Sequence, residues 1–194
     1  PATAQHFVQG RLDAVPSTGA QFFVRYTLDD ANQRLPTDYP QFPRAFVSRN
    51  QFVTAEYRTV TSSSMVHTAR AGYSRTRIGQ TVEANTTQTL PVFVPGRPLV
   101  GAIDIGGFQR FGTQSSADVQ LRQNVISGQY DLAASRGQHL LKAGTLVERY
   151  QDDEYNPTFS LGIYRFANLS SFLRNVPTQF IGLTPQGDLR RHWD

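Results

Sequence analysis

Four histidines, one acidic triplet and one glycine pair are the places where this sequence offers groups able to hold a metal, move a proton or cradle a phosphate. His6, His67, His139 and His192 carry rings that ligate metals and titrate near neutrality. None is spaced from another histidine as a local metal motif requires, so a metal centre would need assembly from distant segments. Asp152-Asp153-Glu154 is the one acidic cluster, and its carboxylates are the hard oxygen ligands that Ca²⁺ prefers. It lacks the alternating spacing of a dedicated calcium loop and reads first as a solvated loop, with Ca²⁺ the weaker alternative. Gly106-Gly107 follows Asp104-Ile105 without the pattern of a phosphate-binding loop, and reads as a turn. No G-x-S-x-G elbow exists; Ile126-Ser127-Gly128 is not one. The reading is therefore of a protein without catalytic residues, metal or cofactor.

The elements that would position any site are strands. In the first hairpin, from about Gln5 to Asp29, Phe22, Val24, Tyr26 and Leu28 alternate with Phe23, Arg25, Thr27 and Asp29. Period-two patterning rich in aromatic and β-branched residues is the strand signal. A second hairpin runs from about Arg49 to Gly79, with Val53, Ala55 and Tyr57 on one face. A third runs from about Ala117 to Tyr150, where Gly128 is expected to absorb a face change as a β-bulge. Short turns at Val15–Gly19, Thr61–Ser64 and Ser135–Gln138 alternate with long gaps at about 30–49, 80–117 and 151–194. Those gaps are rich in Pro and aromatic residues, and loops so long are usually functional. Leu169, Phe172, Leu173 and Val176 stand at helical spacing, which predicts one short helix within Ala167–Asn175.

The 194 residues are 39% apolar and 18% charged, below the roughly 45–50% and 25% of globular domains. Such a composition suits strands with one polar face and wet loops. Cysteine is absent, which excludes a disulfide framework. The net charge is +4, almost all of the cations are arginine, and Lys142 is the single lysine. The arginines are dispersed without a basic block, so nucleic acid is not an expected partner. There is no run of about 20 apolar residues, hence no transmembrane helix. The chain starts at Pro1 with no leader-like segment, and is expected to be a mature product or a piece of something longer. Aromatics near strand ends (Phe22, Phe23, Tyr26, Phe46, Phe52, Tyr57, Tyr73, Tyr130, Tyr150) fit interfacial girdles or a sandwich core.

Short turns at one end and long loops at the other are the arrangement of a transmembrane β-barrel. Within that frame, Ser48-Arg49-Asn50-Gln51-Phe52-Val53-Thr54-Ala55-Glu56-Tyr57 resembles a barrel strand of TonB-dependent outer-membrane receptors. Gly137-Gln138-His139-Leu140-Leu141-Lys142-Ala143-Gly144 resembles their strand opening after a turn, and Phe22-Phe23-Val24-Arg25-Tyr26 the strand after a periplasmic turn. The nearest likeness is to the Oar-like subgroup with a carboxypeptidase-regulatory-like domain, over about residues 5–190. The fold class is accordingly all-β: an antiparallel hairpin meander of about six strands, barrel-like or partial, in a single domain spanning 1–194. Six strands cannot close a barrel of that size, so the resemblance implies an internal fragment of one, with sheet edges open to self-association.

The resemblance implies a protein of the bacterial outer membrane that contacts its lipid. It implies binding and uptake of a small, siderophore-like solute through extracellular loops, with TonB as energy-coupling partner. The residues expected to touch that solute are Tyr39, Phe42, Phe93, Arg97, Phe108, Arg110 and Tyr155. The alternatives are a soluble secreted or periplasmic β-domain that binds carbohydrate or another surface, and a hydrolase with a loop-assembled site.

Overall fold

The computed structural model describes residues 2–116, 118–184 and 189–194. Six long strands carry the chain: β1 (Ala2–Ser17), β2 (Ala20–Leu35), β3 (Arg44–Ser62), β4 (Met65–Val82), β7 (Val119–Arg136) and β8 (His139–Tyr155). Between β4 and β7 lie β5 (Ala102–Ile105) and β6 (Phe111–Gly112). After β8 come β9 (Ile163–Phe166), α1 (Leu169–Leu173), β10 (Gln179–Ile181) and β11 (Arg190–Trp193). The long strands form one antiparallel meander, with order β1-β2-β3-β4-β7-β8-β11. The sheet is open: β1 and β11 are its outer members. Three tight turns connect it at one end, and all long connections leave from the other.

The predicted hairpins are present but longer. The first begins at Ala2 and reaches Leu35, and its turn is Thr18-Gly19, with Gly19 at φ 84°. Ala117, the predicted start of the third hairpin, lies outside the described residues. The bulge expected at Gly128 is not there. Register runs unbroken from Met65↔Ala134 to Gln80↔Val119, and from Gln120↔Tyr155 to Arg136↔His139. Apolar side chains simply move from one face of β7 to the other along its length, which a flat pairing tolerates. The irregularities sit instead beside two turns, at Ala14/Ser17 and Val60/Ser62.

Register assigns every long-strand residue to a face, because side chains alternate and paired residues share a side. One face carries an apolar band: Leu12 and Val8, then Phe22, Val24, Tyr26 and Leu28, then Tyr57, Ala55 and Val53. It continues through Ala69, Ala71 and Tyr73, then Leu132, Tyr130 and Ile126, then Leu141, Ala143 and Val147. From β1 to β8 the band drifts toward the turns by four to six residue pairs, as strands tilted across a layer require. None of the described residues covers it; Leu12 is 79% exposed. The opposite face holds polar pairs such as Glu56 with Arg70, where Arg70 Nε donates to Glu56 at 2.9 Å. That face is not uniformly polar: Phe7, Phe23, Phe52, Val125 and Tyr150 also lie on it. Of the aromatics expected to form girdles, Phe22, Tyr26, Tyr57, Tyr73 and Tyr130 are on the banded face. Phe23, Phe46, Phe52 and Tyr150 point the other way.

The long loops are not structureless. They fold into a second sheet, β10-β9-β5-β6, in which β5 and β9 run parallel. Around it lie most of the buried hydrophobic side chains among the described residues: Val94, Val100, Ala102, Ile105, Leu161, Ile163 and Phe166. Phe166 and Phe172 meet edge to face at 5.1 Å, and Phe111 packs on Phe172 at 6.1 Å. The predicted helix forms as α1, within the expected range. Asn168 caps it by accepting from Ser171 N at 2.9 Å, and Ser171 Oγ accepts from Asn168 N at 3.1 Å, a reciprocal capping box.

Candidate functional site

The loop between β2 and β3 is closed by its own polar groups. Thr37 Oγ1 donates to the carbonyls of Tyr39 at 2.6 Å and Phe42 at 3.1 Å, and Phe42 N donates to Tyr39 O at 2.9 Å. Two further bonds tie this loop to the chain leaving β4: Asn85 N to Gln41 O at 2.7 Å and Glu83 N to Pro43 O at 3.3 Å. The Tyr39 ring meets Phe111 edge-on at 5.9 Å. The hydrogen bonds close the loop on itself and on the chain leaving β4, and the ring contact sets it against the β5–β6 hairpin.

A cleft of about 300 Å³ lies between them, lined by Leu35–Tyr39, Phe42 and Arg44 on one side and Gln109, Arg110 and Gly112–Gln114 on the other. Its wall depends on Gly112. That residue has φ 93°, and a Cβ there would collide with the Gly101 carbonyl. The next residue, Thr113, is 1% exposed, and its Oγ1 has no hydrogen-bond partner among the described residues. A buried hydroxyl left unpaired costs about 1–3 kcal/mol; the atom itself is closed off from the cleft. Arg44 and Arg110 line the same space with Asp38, two guanidinium groups against one carboxylate. Arg110 Nη2 also reaches Asp104 at 3.3 Å. The balance favours a polar solute bearing negative charge or carbonyl oxygens.

Of the seven residues expected to touch a ligand, the cleft gathers Tyr39, Phe42 and Arg110. Phe42 is 8% exposed and serves as floor. The others are elsewhere. Phe93 packs on Tyr164 at 5.0 Å inside the loop sheet. Arg97 closes a turn, its N donating to Val94 O at 3.3 Å, with Gly96 at φ 76° supplying the bend. Phe108 is exposed at the tip of the β5–β6 hairpin. Tyr155 ends β8, with the Arg190 guanidinium 5.3 Å from its ring centroid. The sequence reading missed Arg44, Gln109, Thr113 and Gln114. Nothing in a linear pattern marks Thr113; the Gly112 before it was the only available signal.

The acidic triplet Asp152-Asp153-Glu154 is part of β8, not a loop. Consecutive strand residues point to opposite faces, so the three carboxylates cannot converge on one ion. Asp153 lies opposite Arg122, 3.7 Å away. Among the described residues no three His, Cys, Asp or Glu side chains are grouped to hold a metal. His192 Nε2 stands 3.8 Å from Asp194, and His67 contacts the Tyr130 hydroxyl.

The family model described as "Outer membrane beta barrel domain" matches residues 1–194. No curated protein and no solved structure matches the chain.

Proposed function

The chain belongs to the outer membrane beta barrel family, and from that premise we propose that its long sheet is a sector of a barrel wall whose loops capture a solute for uptake. The apolar band is then the lipid-facing surface and the polar face lines the lumen. The tight turns face the periplasm, and the loop sheet with its cleft faces outward. The strand lengths of 16–19 residues exceed the roughly 9–11 needed to cross the hydrocarbon, so the wall extends beyond the bilayer toward the loops. The observation that carries the solute reading is the cleft itself, with Arg44 and Arg110 set against Asp38 in its lining. Energy coupling through TonB, and a siderophore-like ligand, rest on the resemblance of Ser48–Tyr57 and Gly137–Gly144 to strands of TonB-dependent receptors.

The test is accumulation of a panel of radiolabelled ferric chelates by cells carrying the whole protein, with and without TonB. Arg44→Ala and Arg110→Ala should lower accumulation of the accepted chelate at least several-fold, while folded protein in the outer membrane stays unchanged. Accumulation that is indifferent to TonB would remove the energy-coupled reading. Accumulation indifferent to both substitutions would remove the cleft.

A further inference from the structure

On the banded face, just loopward of the apolar residues, register lines up five charged side chains in adjacent strands: Asp30, Arg49, Arg77, Arg122 and Asp153. Three arginines stand directly opposite one another across β3, β4 and β7. Like charges so placed repel. The outer two are compensated, Arg49 by Asp30 and Arg122 by Asp153 at 3.7 Å. Among the described residues the middle one, Arg77, has no hydrogen bond or ion pair, and neither has Arg75 two residues before it. A small recess opens beside Arg77, lined also by Gln120, Arg122, Asp153, Tyr155 and Arg190. It holds three guanidinium groups and one carboxylate.

The depth of this recess follows from two tyrosines. Tyr26 OH accepts from Gln51 at 2.9 Å, and Tyr73 OH donates to Asn124 at 3.1 Å. Both hydroxyls thus point loopward from the band, as interfacial tyrosines do at headgroup level. Arg75 and Arg77 lie two and four residues beyond Tyr73, about 7 and 13 Å along the strand at roughly 3.3 Å per residue. They are therefore on the lipid side, at and beyond the margin of the hydrocarbon.

We infer that this recess is a seat for the phosphate of an outer-leaflet glycolipid, held by Arg77 and Arg122, with Arg75 beside it on the same face of β4. A phosphate brings one to two negative charges and oxygens that accept bidentate guanidinium bonds. It would neutralise the one uncompensated position in the charged row. A free anion has the same headgroup chemistry, but acyl chains attached to the phosphate would also bury their surface on the apolar band, whose edge at Tyr73 lies four residues along β4 from Arg77. The inference rests on the band facing lipid.

The experiment titrates the whole protein in detergent micelles with diphosphoryl lipid A, with the same lipid after removal of its phosphates, and with inorganic phosphate. Unsubstituted protein should bind the phosphorylated lipid about tenfold or more tighter than the dephosphorylated one, the worth of charge-assisted bonds. Arg75→Gln combined with Arg77→Gln should erase that preference, and Arg25→Gln on the opposite face should leave it intact. Equal binding of both lipids by the unsubstituted protein would overturn the phosphate seat and leave the lipid-facing band standing. Failure of both lipids to bind would sink the lipid-facing reading as well. Inorganic phosphate binding as tightly as the phosphorylated lipid would overturn the lipid as ligand. The two-lipid comparison uses unsubstituted protein, so it decides the matter even where a variant does not fold.

Discussion

The sheet and the loops of this chain solve the burial problem in opposite ways. The loop sheet has an interior: Leu161 and Ile163 are fully buried, and its rings interlock edge to face. The long-stranded sheet has none. Its aliphatic and aromatic residues are as numerous, yet Leu12, Val147 and Leu141 stand open. A contiguous exposed apolar surface marks an interaction or membrane surface. On the proposed orientation, the difference is that the two parts have different solvents. Strands that meet hydrocarbon leave their apolar side chains outward, since lipid solvates them; loops that meet water have to build a core of their own.

Three substitutions test that contrast, the largest effect first. Leu161→Ala should cost the loop sheet about 2–5 kcal/mol, the range for truncating a buried leucine. Limited proteolysis should then cut within 83–118 and 156–184 while the β-sheet circular dichroism of the long strands persists. Simultaneous loss of both signals would mean that one core serves the whole chain. Val24→Arg, in the middle of the band, should lower stability in lipid bilayers by about 2–4 kcal/mol, while an arginine at Gln9 on the luminal face costs far less. Refolding titrations in vesicles measure this, and equal costs would remove the assignment of faces. Arg70→Gln, which breaks the luminal pair with Glu56, should change stability by about 0–1 kcal/mol. A loss of several kcal/mol in the same titration would show that the polar face is a dry, packed interior rather than a wet lumen.

Much of the wall was legible in the residues. Strict alternation in Phe22–Asp29 and Arg49–Tyr57, with a small polar turn after each outgoing strand, specifies hairpins because side-chain period and turn chemistry are local properties. The helix at Leu169–Leu173 was legible for the same reason, with Asn168 as its cap. The cleft was not. It takes Thr37 and Arg44 from the β2–β3 connection and the start of β3, and Arg110 and Thr113 from either side of β6. These residues meet only where Tyr39 packs on Phe111, partners far apart in the sequence. Gly128 misled for a related reason. A change of apolar face within β7 looks like a bulge when the strand is read alone, but its neighbours β4 and β8 keep register through it.

The sequence by itself determined the long antiparallel hairpins, the short-turn and long-loop ends, the one helix, and membership of an outer-membrane barrel family. Each of these is written in contacts between near neighbours or in a pattern repeated along a strand. Only the tertiary structure decided that the loops would make a second sheet with a core, that Asp152, Asp153 and Glu154 would diverge on a strand, and that Arg49, Arg77 and Arg122 would stand in one row. Those outcomes depend on register between strands and on pairing across long loops. Such pairing is set by the summed fit of many distant side chains, which no local stretch of sequence displays.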